Sequence, residues 1–193
     1  MLRGLNVKGD LRAKKFKIAK VRTSGLVLGL TAKKGKIHLS PIEAHLYQGE
    51  YSGDITLDVR KDTPRVSANE KLNAVQLGPL LKDMLGDDKV SGTVTLAAKI
   101  TADGLSPEAI TKSANGTAKF SLHDGAVKGV NLGQKIREAY AKIKKQPAPP
   151  KTNNATDFAA ITGSVKIRNG IIDNRDLQAK SPLLRVAGKG QVD

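Results

Sequence analysis

Residues 30–58 read LTAKKGKIHLSPIEAHLYQGEYSGDITLD, and residues 165–193 read VKIRNGIIDNRDLQAKSPLLRVAGKGQVD. The two stretches are the same length and align without a gap. Gly35 falls on Gly170, Ile37 on Ile172, Ala44 on Ala179, Gly53 on Gly188, Leu57 on Val192 and Asp58 on Asp193. A third, shorter copy runs from Ala118 to Val127, and all three share apolar-x-apolar-x-x-Gly-x-(Ile/Val). Each copy reads as a hairpin with glycine at the reversal, then a short strand, then a longer one. One hairpin cannot bury its apolar side alone, so the repeat predicts stacked hairpins that make one long sheet.

The alternation extends beyond the copies. Ile55, Leu57 and Val59 alternate with Thr56, Asp58 and Arg60, and Val94, Leu96, Ala98 and Ile100 with Thr95, Ala97, Lys99 and Thr101. Phe120 and Leu122 alternate with Ser121 and His123, and Val165 and Ile167 with Lys166 and Arg168. One apolar and one polar face per strand predicts antiparallel strands with a single wet face. Lys34-Gly35, Gln48-Gly49, Asp124-Gly125 and Asn169-Gly170 are the expected reversals, since such pairs suit the positive φ of tight turns.

Three segments switch to helical spacing. Leu77–Leu85 places Leu77, Leu80, Leu81, Met84 and Leu85 on one stripe before Gly86, an expected C-cap. Ser106-Pro107-Glu108 reads as a helix start, with Ile110 facing inward. Val130–Ile143 carries Val130, Leu132, Ile136, Ala139, Tyr140 and Ile143 on one side, a candidate cover for the sheet. Residues 145–156 are Pro-rich and read as a flexible loop. The fold class that follows is α+β and β-rich. It is a curved, mostly antiparallel sheet of repeated hairpins with two to three short helices on its apolar face. Residues 1–193 form one domain. The chain opens in mid-alternation at Leu5 and Val7 and stops on Gly190-Gln191-Val192-Asp193, which reads as mid-strand, so a fragment of a longer protein is expected.

Composition narrows the function. Among 193 residues there is no cysteine, which excludes disulfides, Cys-based metal sites and thiol nucleophiles. Lys and Arg number 33 against 18 Asp and Glu, a net charge of +15 that calls for a polyanionic partner or a strongly charged neighbour. Aromatics are only 3% of the chain, so the core is aliphatic and base stacking is poorly served. No helix-turn-helix or RNP pattern appears, and nucleic acid is not the expected partner. No apolar stretch reaches the ~20 residues of a membrane span.

Catalysis and cofactors are not expected. His38, His45 and His123 match no zinc spacing, and there is no Gly-x-Ser-x-Gly elbow. Asp87-Asp88 reads as a solvated turn, and Gly188-Lys189-Gly190 as bulge glycines rather than a phosphate loop.

Taken in order, these segments resemble the C-terminal region of the AsmA family from about Leu5 onward. The strongest parts are Gln76-Leu77-Gly78-Pro79-Leu80-Leu81, Asp124-Gly125 through Gly129-Val130-Asn131-Leu132, and Ser181-Pro182-Leu183-Leu184-Arg185-Val186 with Gly188 and Gly190. The resemblance implies a place in the Gram-negative envelope and kinship with TamB-type proteins, whose curved sheets enclose an apolar groove. It implies a periplasmic location, an inner-membrane anchor through an N-terminal helix outside this sequence, and a role in outer-membrane assembly or lipid transport between membranes. It carries no catalytic residues.

The expected function is therefore a non-enzymatic envelope-biogenesis module whose apolar β groove handles phospholipid. The groove candidates are Ile55, Leu57, Val94, Leu96, Ile100, Phe120, Leu122, Val165, Ile167, Leu184 and Val186. Phospholipid or an anionic membrane surface is the expected partner, since each Lys or Arg near such a surface contributes about 1 kcal/mol. Two alternatives stand beside it. One is a structural module that pairs strands with envelope proteins or neighbouring repeats. The other is a nonspecific polyanion binder.

Overall fold

The computed structural model describes residues 2–18, 20–150, 153–182 and 184–193. After a 3-10 turn (Leu2–Gly4) come β1 (Val7–Ile18), β2 (Val21–Lys33), β3 (Lys36–Leu46), β4 (Gly49–Asp58) and β5 (Arg65–Gln76). Helix α1 (Leu77–Leu85) leads to β6 (Thr93–Asp103), α2 (Pro107–Ser113) to β7 (Asn115–Lys128), and α3 (Leu132–Ile143) to β8 (Ala155–Arg168). Strands β9 (Ile171–Lys180) and β10 (Arg185–Val192) complete the chain. The ten strands form one open antiparallel sheet in sequence order, as the alternation predicts. Of the Pro-rich segment, Lys151 and Thr152 lie outside the described residues.

The duplication is expressed in the register. Ile37 pairs with Leu57, Ala44 with Tyr51 and Ile42 with Gly53. In the second copy Ile172 pairs with Val192, Ala179 with Val186 and Leu177 with Gly188. Each first-copy pair falls on the corresponding second-copy pair, and both copies break register next to the glycine pair. Lys34-Gly35 and Asn169-Gly170 turn with positive φ at both residues, the geometry of a type I′ reversal. Gly188-Lys189-Gly190 sits at a bulge in β10.

Two expected reversals are corrected. The turn between β3 and β4 is centred on Tyr47-Gln48, both at positive φ, and Gly49 already begins β4. Asp124-Gly125 is no reversal at all. It lies inside β7, which runs on past it with Gly125 opposite Phe158. Asp124 takes the positive φ as a local kink. A side chain on Gly125 would overlap the Ser91 carbonyl and the Phe158 ring. The motif's composition is that of a turn. The long pairing with β8 keeps it extended.

Strand β5 went unpredicted. Its inward positions are Val66, Ala68, Glu70 and Leu72, and the small and acidic members dilute the alternation. The helices sit at the strand ends. Gly86 caps α1 in the left-handed region and donates its N–H to the Lys82 carbonyl. Ser106 caps α2 by accepting from the Ala109 N–H. Leu80 of α1 packs with Leu46 and Val75, while Met84 and Leu85 at its far end stay exposed. Ile110 of α2 is half-buried.

Candidate functional site

The register aligns the inward side chains into rows that cross the sheet. One row passes from Gly9 through Leu30, Leu39, Ile55, Ala68, Ile100, Gly116, Ile167 and Ile172 to Val192. Every strand contributes one residue, and all are apolar or glycine. Neighbouring positions on the same strands carry Asp54, Asn69, Lys99, Thr117, Lys166 and Asp173, which form a polar row on the opposite face. Two sheet faces of different chemistry follow directly from period-two alternation in matched register.

The predicted groove residues fall as follows. Val94, Leu122 and Val186 belong to a row that links Val75, Val94, Leu122, Ile161, Ala179 and Val186. Leu96 and Phe120 share a row with Tyr51 and Leu72. Ile55, Ile100 and Ile167 lie in the all-apolar row, Leu57 faces the same way one pair further along, and Val165 lies between the two central rows. Leu184 stands apart, in the turn before β10, where it exchanges backbone hydrogen bonds with Ser181. Leu122 is buried, whereas Ile55, Leu57, Val94, Leu96, Ile100, Phe120, Val165 and Ile167 are only half-buried and Val186 is exposed. A sheet sealed by a second layer would bury these positions fully. Here the helices touch the sheet chiefly at β2, β6 and β8.

One row carries a polar interruption that the sequence did not announce. It runs Leu28, Ile42, Gly53, Glu70, Ala98, Ala118, Val165, Asn174. Glu70 thus projects from the apolar face. Its Oε2 accepts a hydrogen bond from the Tyr51 hydroxyl, and its Oε1 is buried with no partner among the described residues. Any side chain on Gly53 would overlap both groups, so that glycine makes the pair possible. Burial, followed by the hydrogen bond to Glu70, pushes the Tyr51 hydroxyl above its ordinary pKa and keeps it a donor. Asn174 donates to the Ser164 carbonyl and to Asp176.

Several other titratable groups pair within the scaffold. His38 pairs with Asp54 at 2.9 Å on the polar face, and that contact holds the Asp54 carboxyl below the usual range. Asp87 faces Lys89 and Asp88 faces Lys128, each at 2.8 Å. Asp83 of α1 accepts from Tyr47 at 2.5 Å and from Arg22 at 2.8 Å, which ties α1 to β2. A cleft of about 760 Å³ beside this contact is lined by Lys15, Phe16, Lys17, Arg22 and His45. No helix among the described residues is long and apolar enough to cross a membrane.

No solved structure matches. Protein AsmA of Escherichia coli (strain K12) is 24% identical over 165 residues. That alignment covers 85% of this chain and 27% of the relative, so the chain spans about a quarter of the protein it resembles. The sequence model of the AsmA family matches residues 3–177, from before the first strand to within β9. With nearly the whole sheet inside that match, the chain belongs to the AsmA family.

Proposed function

We infer that this chain is a non-enzymatic module of the bacterial cell envelope whose apolar sheet face handles phospholipid. The observation that carries this reading is the unbroken row from Gly9 to Val192, apolar or glycine on all ten strands. Most of its large side chains are half-buried rather than sealed. Acyl chains laid along such a face gain about 0.8 kcal/mol for each CH₂ removed from water, without needing a closed pocket. Membership of the AsmA family supports a role in the envelope. The finer reading is a periplasmic segment of a longer protein anchored in the inner membrane. It would serve lipid transport between the membranes or outer-membrane assembly.

Native mass spectrometry of the purified protein, with lipid extraction, tests this. Co-purified phospholipid is expected. It should fall sharply in Ile100→Lys, which places a charge mid-row at a half-buried position. A lipid-free protein of full stability overturns the reading.

A second reading rests on the two open edges. Among the described residues strands β1 and β10 each pair on one side only, and free edges accept further strands. On that reading the module joins envelope proteins or neighbouring repeats. Protection of β1 amides from hydrogen exchange only in the presence of such a partner would favour it.

A further inference from the structure

Helix α3 is mounted with its apolar side outward. Gln134 and Ala141, two turns apart, are buried, and Glu138 beside them is half-buried and accepts from the Gln134 amide. On the opposite side Leu132, Ile136, Tyr140 and Ile143 are all exposed, Tyr140 at 58% and Ile143 at 78%. The sequence led us to expect this stripe over the sheet. Polar tethers decide otherwise. Asn131 caps the helix through the Gln134 N–H and donates to the Asn153 carbonyl, while Thr156 accepts from Leu132 N–H and donates to the Val130 carbonyl. At 100° per residue, Lys135 and Lys142 flank the stripe, and Lys144 sits 5.9 Å from the Tyr140 ring. The helix's single acid, Glu138, faces the protein.

The antiparallel order places α3 at the same end of the sheet as the β1–β2 reversal. That reversal has the same chemistry. Phe16 and Ile18 are exposed, surrounded by Lys14, Lys15, Lys17, Lys20 and Arg22. No Asp or Glu occurs between Asp10 and Glu43. Exposed Met84 and Leu85 of α1 lie at this end as well.

We propose that this end of the sheet docks on an anionic phospholipid bilayer. The α3 stripe and the Phe16–Ile18 tip enter the headgroup boundary, and the flanking lysines meet lipid phosphates. An amphipathic helix with an apolar stripe, lysine flanks and its acid turned away has the charge and shape for this interface. The proposal goes beyond the groove and stands whether or not the apolar face carries lipid.

Vesicle co-sedimentation tests it, using equal parts phosphatidylglycerol and phosphatidylcholine against phosphatidylcholine alone. Wild type should sediment with the anionic vesicles and lose binding as salt rises. The double variant Ile136→Glu/Ile143→Glu should bind at least about tenfold more weakly, with unchanged circular dichroism because both sites are exposed. Phe16→Ser should weaken binding in the same direction. The lipid content of these variants by native mass spectrometry should stay at the wild-type level, which separates this inference from the groove. Wild-type binding by the double variant overturns it. So does a wild-type dimer that the double variant dissolves, which would make a second copy the occupant. So does retention on single-stranded DNA without vesicle binding.

Discussion

Replacing Tyr51 by phenylalanine should weaken this protein, whereas replacing its partner Glu70 by leucine should not. The carboxylate projects from the apolar face, with one oxygen held by the Tyr51 hydroxyl and the other buried without a partner among the described residues. Tyr51→Phe removes the hydrogen bond that the tyrosine hydroxyl donates to it. Such bonds to charged groups contribute about 1.5–3 kcal/mol, and the half-exposed setting places the loss at about 1–2 kcal/mol. For a chain of this size that lowers Tm by about 2–8 °C. Glu70→Leu removes the carboxylate and its orphaned oxygen together, extends the apolar run from Gly53 to Val165 and leaves only the half-buried Tyr51 hydroxyl to turn to water, so stability should hold or rise by about 1 kcal/mol. The double variant should then be more stable than Tyr51→Phe alone, because the two residues act as a unit. Urea unfolding followed by circular dichroism measures all three. The tyrosine pKa is raised on folding, so its contribution is complete below the ordinary tyrosine value of about 10 and declines as pH climbs past it. Tyr51→Phe should lack that alkaline decline. A Glu70→Leu protein that loses as much stability as Tyr51→Phe would refute the reasoning.

Other perturbations follow from the packing. Val75, fully buried between Leu46 and Leu80, should cost about 1.5–2.5 kcal/mol as Val75→Ala in the same urea assay. Gly125→Ala should cost about 2 kcal/mol or more, since Ser91 is held by its backbone hydrogen bond to the Ala126 carbonyl and Phe158 by the β7 and β8 pairing. Arg60 holds the Asp58 carboxyl down to about 2 through a hydrogen-bonded ion pair at 2.6 Å. A carboxyl NMR titration should show that midpoint, and Arg60→Gln should return it toward the ordinary aspartate range. Because the pKa is depressed, the pair's contribution is present above the unfolded value and disappears as pH falls through about 2.

The alternation in Val94 to Ile100 and in Ile55 to Val59 predicted its own faces because a strand's period is a local property. The duplicated stretch went further. It anticipated a repeated meander, and the two copies pair in equivalent register down to their bulges. Where sequence reading failed, the deciding force came from a neighbour. Asp124-Gly125 has turn composition, and pairing with β8 overrides it. Strand β5 has a weak pattern of its own and is a strand because β4 and β6 supply hydrogen bonds on both sides.

The sequence by itself determined a basic, cysteine-free, aliphatic chain of one-faced strands and three amphipathic helices, since composition and periodicity need no partner to be read. Only the tertiary structure decided how those faces are used. Register across ten strands turned separate apolar positions into one continuous row and put Glu70 into the midst of that face beside Gly53. Hydrogen bonds at Asn131 and Thr156 turned the α3 stripe away from the sheet. An amphipathic pattern gives a helix two sides. Which side meets the protein depends on contacts from residues distant in the chain, and those exist only once it has folded.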